Sequence, residues 1–172
     1  APWASGPHPP LPVPSDHVRA LAVDPNNPSS VWAAAEGGTY LSVDGGHSWA
    51  PLTSGLSRPS AAWAVAFMDG ALFASDTAAV YRWDPASKKL TIEAGDIDRP
   101  NGLAFSPDES KLYIVVAGAS PRVIRVYDVV KGGSELSNCS TVVTAAPDGH
   151  PDGLRVDVDG NLWVGWGVGQ EG

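Results

Sequence analysis

The residues able to do chemistry in this chain are carboxylates, amides and guanidiniums, not thiols or clustered imidazoles. Cys139 is the single cysteine, so an internal disulfide and a thiolate zinc cluster are both excluded. His8, His17, His47 and His150 show no metal-ligand spacing. Ser48 and Ser106 sit in turn-like contexts, and no Ser-His-Asp arrangement is evident. Nineteen Asp and Glu face eleven Lys and Arg, a formal charge of −8. That excess could hold a divalent cation, although a solvated acidic surface is the ordinary use of most such groups. No Lys/Arg cluster is present, which argues against a nucleic-acid partner. The stretch Asp157-x-Asp159-Gly160-Asn161 hints at a calcium loop. Its glycine comes too early and no closing glutamate follows, so it is read as a turn. Arg19, Trp63, Asn101 and Asp152 stand out instead, because they share one position in a repeat.

The repeat has a period of about 40 to 50 residues. Its first strands are Val18-Arg-Ala-Leu-Ala-Val, Ala62-Trp-Ala-Val-Ala-Phe, Pro100-Asn-Gly-Leu-Ala-Phe and Pro151-Asp-Gly-Leu-Arg-Val. Asp, Pro, Gly and Asn close each one, and an aromatic-containing second strand follows. Third and fourth strands follow in the first three units, the fourth strand of the first unit being expected around His47-Ser-Trp-Ala and that of the third around Thr141-Val-Val-Thr. No segment has a convincing helical period, and the weak alternation suits sheets packed on both faces. The fold class is therefore all-β: a β-propeller, or part of one, of about four four-stranded blades with the last incomplete. The blades are expected at about 17–56, 61–99, 100–150 and 151–172, after a Pro-rich arm at 1–16. Nineteen Gly and sixteen Pro punctuate these runs. No apolar run is long enough for a membrane span. The chain does not begin with Met and lacks a signal-peptide core, as in a mature secreted form or a fragment. Asn138-Cys139-Ser140 fits the glycosylation pattern, a common chance match. An unpaired last hairpin leaves a sheet edge that a homodimer could cover by completing the ring.

In a propeller the first strand lines the central channel. The aligned Arg19, Trp63, Asn101 and Asp152 should then ring one mouth of it. Glu36 and Asp76 lie just beyond second-strand ends, which return to the same face.

Two family resemblances overlay this frame. Ser42-Val-Asp-Gly-Gly-His-Ser-Trp49 matches the Asp-box pattern S-x-D-x-G-x-x-W, and residues 17–56 resemble one blade of a sialidase-type propeller. The box implies a hairpin turn, with Asp44 bonding turn amides and Trp49 packed beneath, not catalysis. Residues 61–172 resemble the gluconolactonase/regucalcin (senescence marker protein) lactonases. Val80-Tyr-Arg-Trp-Asp-Pro, the stretch from Arg99-Pro-Asn-Gly to Leu112-Tyr113, and Pro151-Asp-Gly-Leu-Arg-Val-Asp-Val-Asp-Gly-Asn-Leu-Trp163 carry the likeness. This resemblance implies a six-bladed propeller with a divalent cation, Ca²⁺ best, at the central opening. It makes Asn101 a metal ligand, and Asp152 a ligand and general base. The family's early acidic ligand, in an E-G-P-type segment, has no counterpart here, nor does its additional asparagine. Glu36 or Asp76 could replace the missing carboxylate.

The implied activity is metal-dependent hydrolysis of a sugar-lactone-like substrate. A metal-activated water attacks the lactone carbonyl and Asp152 accepts its proton. Arg19 would stabilise the oxyanion or orient a hydroxyl, and Trp63 would form an apolar wall. His150, two residues before Asp152, could touch the substrate. The alternative is a non-catalytic propeller, recombined or designed, that serves as a scaffold or binding module. A sialidase-like glycosidase would need a cluster of arginines for an acidic sugar, and none is visible.

Overall fold

Short runs of β-branched and aromatic residues, closed by Asp, Asn, Gly or Pro, favour strands joined by tight reversals. The computed structural model describes residues 17–52, 62–68, 71–75 and 78–168, and every regular element within them is a strand. The first sheet holds β1 (Val18–Asp24), β2 (Asn27–Ala35), β3 (Gly38–Ser42) and β4 (Ala50–Pro51). The second holds β5 (Ala64–Met68), β6 (Ala71–Ser75), β7 (Val80–Asp84) and β8 (Lys89–Ala94). The third holds β9 (Pro100–Phe105), β10 (Lys111–Val116), β11 (Val123–Val130) and β12 (Glu135–Thr144). The fourth is the hairpin of β13 (Gly149–Val156) and β14 (Leu162–Val168). Spatial order follows chain order in every sheet and all pairs are antiparallel, as in propeller blades.

The first strands are innermost. β1 touches β5, β5 touches β9, and β9 touches β13. Apolar cores fill the spaces between blades. Trp32, Val65, Leu72 and Trp83 pack between the first and second. Phe73, Leu103, Leu112 and Ile114 pack between the second and third. Ala104, Val115, Ile124 and Leu154 pack between the third and fourth. The third blade is thus buried on both faces, and β10 shows the consequence. Its Leu112 and Ile114 face one core, Val115 faces the other, and all three are fully buried. A strand covered on both sides needs no polar alternation. On β1, by contrast, Ala20 and Ala22 pack toward the second blade while Leu21 and Val23 stay exposed.

Two strands differ from their expected limits, each for a local reason. His47-Ser48-Trp49 belongs to a turn, so β4 is only two residues long. The Asp44 carboxylate accepts from the Ser48 N–H at 2.8 Å, and the Ser42 hydroxyl accepts from the Gly46 N–H at 2.8 Å. Trp49 donates its indole N–H to the Gly46 carbonyl at 3.0 Å and packs against Ala33, Ala35 and Tyr40. These bonds hold the segment out of the ladder. β12 instead starts early, at Glu135. Lys131, Gly132 and Gly133 at φ of 52°, 63° and 83° make a tight reversal, and Lys131 pairs with Glu135 across it. That turn extends the β11–β12 hairpin by several residues.

Aspartates clamp four of the strand reversals. Asp24 accepts the Asn26 N–H, Asp84 the Ala86 N–H, Asp108 the Ser110 N–H, and Asp157 the Asp159 and Asn161 N–H groups. Part of the acidic excess is therefore structural. Asp157 also accepts from the Trp163 indole and the Asn161 amide, and these bonds lower its pKa from 3.8 to about 2. Bonds from Ser106 and Ser110 take Asp108 to about 2 as well. A carboxyl with a depressed folded pKa stabilises the fold above its unfolded pKa, and the contribution fades as pH falls through the folded value. Thermal melting followed by circular dichroism should therefore fall most steeply between about pH 4 and pH 2. Asp157→Ala should lower Tm at neutral pH, and the gap to wild type should narrow as pH falls toward 2.

Candidate active site

Three of the four inner strands carry an irregularity at the same level. On β1, Val18 faces Ala35 and Ala20 faces Ala34, so Arg19 is an extra residue. On β9, Pro100 faces Val116 and Leu103 faces Ile114, so Asn101 and Gly102 oppose Val115 alone. On β13, Pro151 faces Trp166 and Leu154 faces Val164, so Asp152 and Gly153 oppose Gly165 alone. A β-bulge bends its strand and re-aims a side chain. Here the bulges bring Arg19, Asn101 and Asp152, together with Trp63, onto the wall of one cavity of about 820 Å³.

Within that cavity the Asn101 amide donates to the Asp152 carboxylate. The Arg19 guanidinium lies 3.8 Å from the centroid of the Trp63 ring, a cation–π contact. Two further residues set the Asn–Asp geometry. A Cβ on Gly102 would stand 2.7 Å from both the Asp152 carbonyl oxygen and the Leu154 nitrogen. Only glycine lets β9 and β13 approach so closely. Ser75, 1% exposed at the end of β6, accepts the Ala64 N–H at 3.0 Å and donates to the Asn101 carbonyl at 3.2 Å. It ties the second blade to the backbone of the site.

The ring expected from the repeat alignment is thus assembled, but the candidates outside it are placed differently. Glu36 is not on the cavity wall. Its N–H bonds the His17 carbonyl at 3.3 Å, and its carboxylate lies 3.4 Å from the His17 imidazole. His150 faces Gly167 in the β13–β14 ladder and is likewise off the wall. Asp76 lies outside the described residues. Asp152 is therefore the lone carboxylate of the cavity wall among the described residues, which nowhere bring three His, Cys, Asp or Glu together in a metal-holding group. Sequence reasoning missed Ser75, Gly102, Arg155 and Trp163. Gly102, Arg155 and Trp163 line the cavity, and for the last two their place in the Pro151-to-Trp163 motif was the available signal.

Blades meandering outward from bulged inner strands define a propeller, with the Asn–Asp pair on the wall of a cavity between those strands. The model of the SMP-30/gluconolactonase/LRE-like region matches residues 55–171, and the chain belongs to that family. A lactonohydrolase, oryH, of Aspergillus oryzae is 34% identical over 114 residues, covering 54% of this chain and 24% of that protein. A gluconolactonase of Zymomonas mobilis is 37% identical over 91 residues, covering 49% and 25%. The solved structure of a gluconolactonase from Xanthomonas campestris superposes with a TM-score of 0.71 at 26% identity, covering 84% of this chain and 54% of that one. The chain spans about a quarter of the length of these curated relatives and about half of the solved chain.

The strand approach at Gly102 is directly testable. Gly102→Ala should destabilise the protein by about 1–3 kcal/mol through overpacking and should separate β13 from β9. Ser75→Ala should cost about 1–3 kcal/mol by removing a buried hydroxyl that bonds both the Ala64 N–H and the Asn101 carbonyl. Urea unfolding would measure both, and unchanged midpoints would show that neither residue sets the site.

Proposed function

We propose that the protein hydrolyses lactones at this cavity. The observation that carries the reading is the bonded Asn101–Asp152 pair, facing one cavity with Arg19 in a chain of the gluconolactonase family. The names of the relatives, lactonohydrolase and gluconolactonase, support the same reaction class.

Asp152 is the base of the reaction. Its Oδ1 accepts the Asn101 amide, which holds the carboxylate in one orientation. It takes a proton from water as the water oxygen bonds to the lactone carbonyl carbon. Arg19 donates to the oxygen that gains negative charge. Its stacking on Trp63 keeps the guanidinium in place, so little reorganisation is needed when that charge develops. Collapse breaks the ring C–O bond, and the proton returns to the departing alkoxide to give the hydroxy acid. Trp63 supplies an apolar wall for the ring.

A divalent cation fits the donor chemistry of the pair. Asp152 and Asn101 offer a carboxylate and an amide oxygen on one wall, the donors a hard ion such as Ca²⁺ takes. When bound, such an ion supplies Lewis acidity to the lactone carbonyl.

Hydrolysis of D-glucono-δ-lactone, followed by acid release, tests the reading. Wild type should turn over faster with added Ca²⁺ and more slowly with a chelator. Asp152→Ala should lower kcat/KM by about 10²- to 10⁴-fold. Equal inactivity of wild type and Asp152→Ala, with no cation bound by either in a calorimetric titration, would overturn it.

A further inference from the structure

The cavity wall carries a charge opposite to that of the chain. The protein has a formal charge of −8, yet among the described residues its cavity is lined by Arg19 and Arg155 against Asp152 alone. Neither arginine has a carboxylate partner among the ion pairs of the described residues. Among the described lining residues one guanidinium offsets Asp152, and the other has no carboxylate opposite it. We propose that this site takes lactones bearing a second, anionic group, a carboxylate or a phosphate, and that Arg155 binds that group. The proposal rests on the lactonase reading and deepens it to a substrate class.

The placement of Arg155 supports this role. Its Nη1 donates to the Leu154 carbonyl at 2.8 Å, which holds the side chain against its own strand. The remaining N–H groups of the fork suit the two oxygens of a carboxylate or phosphate. Arg155 faces Trp163 across the β13–β14 ladder, so the two side chains stand side by side on one face of the hairpin. Trp163 is 66% exposed and lines the same cavity. It is not loose, because its indole N–H is tied to Asp157 at 2.9 Å. A fixed apolar ring beside a fixed cation recognises a molecule with an apolar ring face and a charged end. Asp152 precedes Arg155 by three residues on β13, about 10 Å of strand at most. That span suits a six-carbon acid with its lactone carbonyl at Asp152 and its charge at Arg155. Arg19, stacked on Trp63, stays with the carbonyl end.

Three lactones separate the cases: neutral D-glucono-δ-lactone, D-glucaro-1,4-lactone with a free carboxylate, and 6-phospho-D-glucono-δ-lactone. In wild type, kcat/KM for one of the charged lactones should exceed that for the neutral one by tenfold or more, and which one does so distinguishes carboxylate from phosphate. Arg155→Leu should lower that charged-to-neutral ratio by about tenfold, and Arg155→Lys should regain part of it. Calorimetric titration with D-glucarate, 6-phospho-D-gluconate and D-gluconate provides a readout that needs no turnover. One of the two acids with an added anionic group should bind more tightly than D-gluconate, and Arg155→Leu should remove the difference. If all lactones are inert but this Arg155-dependent preference appears, the lactonase reading fails and the anion site stands. If lactones turn over without preference for charge, or Arg155→Leu leaves both ratio and affinity unchanged, the anion site is overturned while hydrolysis stands. If nothing binds and nothing turns over, both fall.

Discussion

The site depends on how closely the inner strands of the third and fourth blades approach. β9 and β13 meet where a side chain on Gly102 would collide with the backbone at Asp152 and Leu154. At that contact both strands bulge, and the bulges turn Asn101 and Asp152 toward each other and into the cavity. A regular ladder would alternate these side chains between the faces of their blades, where the inter-blade cores lie. The arrangement of side chains at the cavity is therefore a consequence of interrupted pairing, held in place by regular pairing above and below.

The approach is held by the apolar cores between blades. Leu154 fills the space against Ala104, Val115 and Ile124, and thereby sets β13 beside β9. Phe73, Leu112 and Ile114 do the same between the second and third blades. Ser75 adds a directional bond, linking β6 to the Asn101 carbonyl through a buried hydroxyl. Apolar packing is not directional, so it sets separation; the serine bond and the bulges set orientation.

Charge is divided by location. Aspartates are spent at strand reversals, where Asp24, Asp84, Asp108 and Asp157 satisfy turn amides that a tight backbone leaves free. Among the described residues the cavity gathers Arg19 from the first strand and Arg155 from the thirteenth, beside a single carboxylate. An acidic protein thus presents a cationic wall at its opening. Coulombic influence over such distances is local once salt screens the rest, so the wall, not the net charge, is what a ligand meets.

The sequence by itself determined the blades, because turn residues and short apolar runs recur at a fixed spacing and need no partner to be recognised. It also determined the level at which Arg19, Trp63, Asn101 and Asp152 would stand, since equivalent positions in a repeat occupy equivalent places around an axis. His47–Trp49 escaped it, because hydrogen bonds to Asp44 and Gly46 outweighed the strand-like composition of that run. The bulges were invisible, since they depend on which residue pairs across the ladder and not on which residue follows in the chain. Glu36 resembled a site residue by its place beyond a strand end; only the folded chain set it beside His17 instead. Arg155 lay in plain view within a recognisable motif. That it shares a cavity with Arg19 is a fact of tertiary structure alone, because closing an arc of blades is what brings the first strand and the fourth blade to one opening.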